Sequence, residues 1–237
     1  MTTSDVKELL ARSVIYRLLS LGFLYPTKDL VDTLRDEAHK ADKEVNVYGQ
    51  WATRLTKVFE EGVDSKSISS LESDYSRLFE ASVHTPCPPY ESNYGSVNTF
   101  GMTRQLADVA GFYRAFGLKL SSTKKEMPDH ISAEMEFMHI LTLKEAHATM
   151  EGWTDKISVT RDAQKKFLLD HLGRWVSAIC MSMQKSAAAE FYRELAKITN
   201  SHIKNEVNLL NIKPKKVRKR VEEENPVEDV GCPEETD

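Results

Sequence analysis

The sequence predicts an all-α protein, a bundle of roughly eight or more helices. Apolar residues recur every three or four positions along most of the chain, which is the spacing of one buried helix face. No segment shows a convincing alternation of apolar and polar residues, the pattern of a strand. With 237 residues, of which 41% are apolar and 29% charged, the chain has a globular composition and can bury a substantial core.

The N-terminal part contains four segments with helical spacing. Ser4 or Asp5 can cap the first of them, and Pro26 ends it because proline cannot extend a helix. In the fourth segment, Ser69 and Glu72 have the spacing of a capping box. The four helices are predicted to cover about residues 5–25, 30–38, 47–62 and 69–79, the third with Gly62 as its C-cap.

Residues 85–95 interrupt this pattern with three prolines, two tyrosines and a glycine, and we expect a stiff loop there. Helical spacing resumes from about Thr103 to Gly117, and a polar linker at 118–126 follows. This linker could divide the helical domain, residues 1–212, into halves 1–117 and 127–212. The remaining helices are predicted over about residues 129–150, 167–179 and 187–210.

The stretch around residue 129 combines a helix start with ionisable side chains. Pro128 disfavours helix before it, and Asp129 is predicted to be the N-cap of the following helix. His130 lies beside this cap, and Glu134 follows on the first turns. An acid and an imidazole opposite a proline-tyrosine loop can bind a cationic or hydrogen-bonding group of a peptide. The alternative is that Asp129 only caps the helix and His130 lies at the surface.

The sequence offers little support for catalysis or metal binding. Glu136 and His139 form an ExxH pattern, but a di-iron site needs that pattern on two helices and the chain carries it once. Cys87 could act as a nucleophile with His84 or His130, yet nothing in the sequence activates the thiol. We therefore expect no catalytic residue, no metal and no cofactor. A helical metal-binding protein or enzyme that uses Glu136 and His139 is the alternative function.

The charge and the cysteine content indicate where the protein is located in the cell and which partners it can bind. The formal net charge of −4 does not favour nucleic acid or membrane binding by the whole surface. The three scattered cysteines fit a reducing compartment, and no apolar run could cross a bilayer or form a signal peptide. We expect a cytoplasmic protein without stable membrane insertion. Opposed charge blocks predict a disordered tail over residues 213–237, although its basic block could also contact nucleic acid.

Several motifs follow one another in a fixed order. They are Tyr75 to Phe79, Pro86 to Ser92, Pro128 to Ile131 with Glu134 to Met138, and the later stretches Phe167 to Trp175 and Ala189 to Tyr192. In this order they resemble the TorD/DmsD family of redox-enzyme maturation chaperones, to which the NarJ group is related. The likeness covers about residues 5 to 212 and excludes the tail. Tyr75 stands where relatives often carry tryptophan, and the loop lacks the Pro-Trp-Gly pattern of some members.

The resemblance implies a helical bundle of the TorD/DmsD type and a chaperone without enzymatic activity. Such a protein binds the signal peptide or the apo form of a molybdopterin oxidoreductase catalytic subunit, and holds it for cofactor insertion before export or assembly. It could be a monomer or a domain-swapped dimer. The expected peptide-binding residues are Tyr75, Leu78, Phe79, Pro88, Pro89, Tyr90, Glu91, Asp129, His130 and Glu134. The acids among them could pair with arginines of the leader.

Overall fold

A computed structural model describes residues 3–44, 57, 68–80, 85–95, 99–119 and 127–219. Within these ranges the chain forms eight α-helices and no strand, which confirms the predicted all-α class. The helices are α1 (Thr3–Gly22), α2 (Lys28–Glu44), α3 (Ile68–Tyr75), α4 (Thr99–Ala115), α5 (Ile131–Met150), α6 (Thr154–Asp170), α7 (Leu172–Ser186) and α8 (Glu190–Leu209). A π-helical turn at Ser76–Glu80 continues α3, and a 3-10 turn lies at Glu91–Asn93.

Helices α1 and α5 form the centre of the bundle and pack along each other more extensively than any other described pair. The Ser20 hydroxyl donates to the Ser132 carbonyl at 2.9 Å, and the Ser13 hydroxyl donates to the His139 carbonyl at 3.1 Å. The residue number rises along α1 between these contacts while it falls along α5, so the two helices are antiparallel. Helices α6, α7 and α8 then pack in sequence order beside α5, so that one hydrophobic core spans the described chain.

An aromatic cluster joins α4, α5 and α6. The rings of Phe137 and Phe167 meet edge to face with centroids 4.8 Å apart, and Tyr113 lies 5.0 Å from Phe137. Pairs of this kind contribute about 0.5–1.5 kcal/mol each beyond the burial of their area. The Tyr113 hydroxyl also donates to the Pro128 carbonyl at 2.8 Å. This cluster therefore fixes the segment before α5.

Two predicted helix boundaries are wrong. Helix α5 begins at Ile131 with His130 as its N-cap, so Asp129 does not cap it. The helix predicted over residues 167–179 is broken at His171, whose φ of −126° and ψ of −105° are not helical. The segment before this break is α6, whose first part the apolar pattern missed because two of its five buried positions, Thr160 and Gln164, are polar. The predicted third helix at 47–62 lies outside the described residues, apart from Lys57.

Residues 213–219 of the tail have no regular secondary structure and lie against the helical domain. Backbone hydrogen bonds, which composition does not reveal, order this segment; the Val217 amide donates to the Arg174 carbonyl at 3.1 Å. Residues 220–237 lie outside the described ranges. The division into halves at 118–126 stays a prediction. No helix in the described ranges combines the length and the apolar character that crossing a bilayer requires.

Candidate peptide-binding site

The proline-tyrosine loop, residues 85–95, lies directly against the start of α5. The Ile131 amide donates to the Pro89 carbonyl at 2.9 Å, and the Glu91 amide donates to the Asp129 carbonyl at 3.0 Å. Proline has no amide to donate, so Pro89 takes part only as an acceptor. The two motifs that the sequence placed at one site are therefore paired by their backbones.

Between these two hydrogen bonds, His130 and Tyr90 face each other in an antiparallel bridge. Their rings meet edge to face with centroids 5.1 Å apart. His130 Nδ1 accepts from the Ser132 amide at 3.2 Å and so caps α5. Burial lowers the pKa of His130 to about 4, against the opposing effect of the Asp129 charge. The imidazole is thus neutral near pH 7, which leaves the Nδ1 lone pair free for the cap.

Acid is expected to destabilise the protein through His130. Its folded pKa of about 4 lies below the usual 6.5, so the folded state binds fewer protons between these values and stability falls as the pH falls. The loss is up to about 3 kcal/mol, at about 1.4 kcal/mol per pKa unit. Urea unfolding at neutral and acidic pH measures it in wild type and in His130→Asn, since asparagine caps a helix without titrating.

The matched control for this experiment is His39→Asn, because His39 is exposed on α2. The His39 variant should keep the pH dependence of the wild type, whereas the His130 variant should lose part of it. Equal pH dependence in all three proteins would contradict the assignment of the acid sensitivity to His130.

Beneath the loop, Glu91, Asp129 and Glu134 form a cluster of buried carboxyl groups, each exposed by 1% or less. One oxygen of each carboxyl has no hydrogen-bond donor among the residues that the structure describes. The other oxygens are bound: the Ser92 amide donates to Asp129 at 2.9 Å, and Trp175 Nε1 donates to Glu134 at 3.2 Å. The cluster can therefore accept further hydrogen bonds.

Burial raises the pKa of Glu134 well above its usual value, and the charges of Glu91 and Asp129 raise it further. Burial also raises the pKa of Asp129, against the hydrogen bonds from Ser92. The raised pKa favours the protonated form of Glu134, which can donate a hydrogen bond to Glu91. This proton relieves the repulsion of three acids in one apolar site.

His171 connects the buried acids to the surface. Its Nδ1 lies 3.0 Å from Glu91 Oε2, and its Nε2 lies 3.2 Å from Asp108 Oδ2. His171 is almost fully buried, whereas the Asp108 side chain is 60% exposed. Asp108 lies in a groove of about 790 Å³ between α4, the α6–α7 junction and the tail. Other residues of this groove include Gly95, Arg104, Asp170, Arg174 and Val217.

Tyr75, Leu78 and Phe79 lie in the aromatic core rather than on an open face, each exposed by 5% or less. Phe79 lies between Tyr75 and Tyr192, with ring centroids 4.9 and 5.8 Å away. The loop reaches this group through the Cys87 amide, which donates to the Leu78 carbonyl at 3.1 Å. All three motifs are therefore joined into one region.

Of the ten residues expected to bind peptide, Pro88 and Tyr90 are partly exposed and the other eight are buried. A peptide could contact the buried ones only after the loop moves away from α5. Peptide binding at these positions stays a prediction.

Sequence reasoning missed His171, Asp108 and Trp175 as parts of this region. The sequence predicts a continuous helix through His171, because its neighbours have helical spacing. Its partner Glu91 is 80 positions away, and Trp175 is 41 positions from Glu134. The resemblance was the available signal, since His171 and Trp175 both lie in the matching stretch from Phe167 to Trp175.

The residues of the alternative metal-binding function are engaged elsewhere. His139 Nδ1 lies 2.8 Å from the Ser13 hydroxyl, and Glu136 pairs with Arg17 at 3.2 Å. Across the described ranges, no group of three or more His, Cys, Asp or Glu residues is arranged to hold a metal ion. Burial raises the pKa of the Cys87 thiol to about 12, which does not favour a nucleophile. His84 lies outside the described residues.

The nitrate reductase delta subunit family model matches residues 39–181 of the chain. The chain belongs to the nitrate reductase delta subunit family. It is 30% identical over 196 residues to the perchlorate reductase assembly chaperone protein of Dechloromonas aromatica (strain RCB), a match that covers 79% of this chain and 84% of the relative. This membership confirms the resemblance to redox-enzyme maturation chaperones.

Two further relatives are named for other reductases, and their matches are shorter. The chlorate reductase assembly chaperone protein of Ideonella dechloratans is 28% identical over 137 residues, covering 56% of this chain and 68% of the relative. The selenate reductase assembly chaperone protein of Thauera selenatis is 31% identical over 99 residues, covering 41% of this chain and 50% of the relative. All three names describe assembly chaperones of reductases.

Proposed function

We propose that this chaperone binds the catalytic subunit of a molybdopterin-containing reductase and holds its apo form until the cofactor is inserted. The observation that carries the proposal is that three relatives, each named for a different reductase, are all assembly chaperones. Perchlorate, chlorate and selenate are oxyanions, so an oxyanion reductase is the expected client. In this proposal the chaperone acts in the cytoplasm, before export or assembly of the client.

The leader peptide of the client is the proposed ligand of the loop and the start of α5. A leader carries a basic segment and an apolar stretch of about 7–15 residues. The partly exposed Tyr90 and Pro88 offer an apolar contact, and the carboxyl cluster beneath them has oxygen atoms that can accept from arginine. Ordering a leader costs about 2–5 kcal/mol, which keeps the binding reversible. A chaperone must release its client, so moderate affinity suits the role.

Asp129→Asn is expected to weaken the binding of the leader about tenfold, equivalent to about 1.4 kcal/mol. Asparagine can still accept from the Ser92 amide, so the substitution removes the negative charge but keeps the local hydrogen bond. Calorimetric titration measures the affinity for a synthetic leader peptide that carries two arginines before an apolar stretch. A second leader, with its arginines replaced by glutamine, should bind equally to both proteins.

The control variant is Met181→Ala, because Met181 is exposed on α7 and takes no part in the contact between the loop and α5. It should bind both leaders as the wild type does. If Asp129→Asn binds the arginine leader as tightly as wild type, the site is misplaced even where the function holds. If wild type binds neither the leader nor the apo-subunit, the proposed function itself is contradicted.

A further inference from the structure

The described part of the tail, residues 213–219, forms no regular strand but is held against the protein by backbone hydrogen bonds. The Gly95 amide donates to the Arg218 carbonyl at 2.8 Å, and the Val217 amide donates to the Arg174 carbonyl at 3.1 Å. Lys219 forms an antiparallel bridge with Tyr94 at the end of the proline-tyrosine loop. This is the backbone geometry by which proteins bind extended peptides.

Two lysines of the segment are held by backbone carbonyl groups. Lys216 Nζ donates to the Gly173 carbonyl at 2.7 Å, and Lys219 Nζ donates to the Thr85 carbonyl at 2.6 Å. Between them, Val217 lies at the backbone of Gly95, where an added Cβ atom would be 3.5 Å from its side chain. The surface therefore accepts an extended segment with two cations three positions apart and an apolar residue between them.

Net charge does not explain this arrangement. Apart from the lysines of the segment itself, the adjoining groove carries two acids, Asp108 and Asp170, and two bases, Arg104 and Arg174. The specific acceptors are the carbonyl oxygens, which can accept from ammonium or guanidinium donors. The ammonium group of Lys216 loses some hydration when the segment is bound, and this burial lowers its pKa. This cost makes the bound segment easier to displace.

The segment also holds the loop closed. It contacts the loop at both ends, through Lys219 at Thr85 and through Arg218 at Gly95. The buried residues expected to bind peptide lie beneath this same loop. A ligand that moves the loop away from α5 must therefore break the contacts of the segment as well.

We propose that residues 213–219 are an internal competitor: they occupy a surface beside the loop that takes part of the leader's basic segment, while an arginine of that segment reaches the carboxyl cluster. This inference rests on the proposed function and adds the mechanism by which the site is regulated. The leader offers the same chemistry, an extended backbone with closely spaced cations. Because the segment is tethered, it competes at a high effective concentration and lowers the apparent affinity for the leader.

The test compares two variants of the full chain with the same change in charge. Lys216→Gln with Lys219→Gln removes the two ammonium groups that donate to backbone carbonyls, whereas Lys213→Gln with Lys215→Gln removes two ammonium groups of the same segment without such hydrogen bonds among the described residues. The ligand is the same synthetic leader peptide with two arginines before an apolar stretch, titrated by calorimetry. Amide hydrogen exchange at Val217, measured with and without saturating leader, reports whether the segment is released.

We expect the Lys216 and Lys219 variant to bind the leader about tenfold more tightly, and the Lys213 and Lys215 variant to bind it as wild type does. Saturating leader should also speed exchange of the Val217 amide in wild type. A Val217 amide that stays protected while calorimetry shows bound leader would overturn the competition and leave the proposed function intact. Equal or weaker binding by the Lys216 and Lys219 variant would overturn it too. No leader binding by any of the three proteins would contradict both proposals.

Discussion

Arg12→Ala is expected to lower the free energy of unfolding by about 3–5 kcal/mol, the cost of breaking a buried ion pair by removing one partner. Arg12 lies on α1 and is 3% exposed. Its guanidinium donates to Glu206 of α8 at 2.8 and 2.7 Å, and to Gln164 of α6 at 2.8 Å. The substitution therefore removes the polar junction of three helices.

The size of this effect comes from the carboxylate that the substitution leaves behind. Burial acts to raise the pKa of Glu206, but the hydrogen bonds and charge of Arg12 outweigh it and lower this pKa below its usual value. Without Arg12, the Glu206 carboxylate stays buried with the Tyr16 hydroxyl at 3.2 Å as its remaining donor among the described residues. A buried charge without its partner is strongly destabilising.

Urea unfolding of Arg12→Ala beside Arg17→Ala measures the effect against a matched control. Arg17 lies on the same helix, but its side chain is 32% exposed and its pairs with Glu37 and Glu136 lie at the surface. Such pairs contribute about 1 kcal/mol or less. Replacing both Arg12 and Glu206 by methionine should recover much of the loss, because no charge is then left unpaired. Equal unfolding midpoints for the two alanine variants would contradict the assigned role of Arg12.

Helical spacing was enough to locate most of the bundle, because each helix buries one apolar face. Helix α8 was predicted over residues 187–210 and is observed at Glu190–Leu209. Spacing fails where polar groups are buried, since their partners are distant in the chain. Arg12 and Glu206 are 194 positions apart, and neither position stands out in a local pattern.

The candidate site shows the same limit. The motifs around Tyr90 and Asp129 were correctly expected to face each other, because a proline loop and a capped helix start are visible locally. The polar side chains were expected at an open surface, yet the structure buries them beneath the loop. Their burial depends on His171 and Trp175, which long-range packing brings to the carboxyl cluster. The sequence could identify the region but not how deeply its polar side chains are buried.

Gly173→Ala is expected to lower the free energy of unfolding by about 3 kcal/mol, through overpacking at the junction of α6 and α7. An added Cβ atom would lie 2.2 Å from the Leu168 carbonyl oxygen and 2.9 Å from Pro214 Cγ. The first of these atoms belongs to the backbone of α6, so the clash cannot be relieved by turning a side chain. The break at His171, which directs its imidazole to Glu91, depends on this close approach.

The matched control is Gly111→Ala on α4, where an added Cβ atom meets nothing within 4 Å. It should stabilise the protein by up to about 1 kcal/mol, because alanine favours a helix interior over glycine. In thermal or urea unfolding, the two glycine-to-alanine substitutions should therefore change the free energy of unfolding in opposite directions. A Gly173→Ala variant as stable as wild type would mean that α6 and α7 separate at no cost. In that case close packing would not be what holds His171 against the carboxyl cluster, and its hydrogen bonds alone would have to do so.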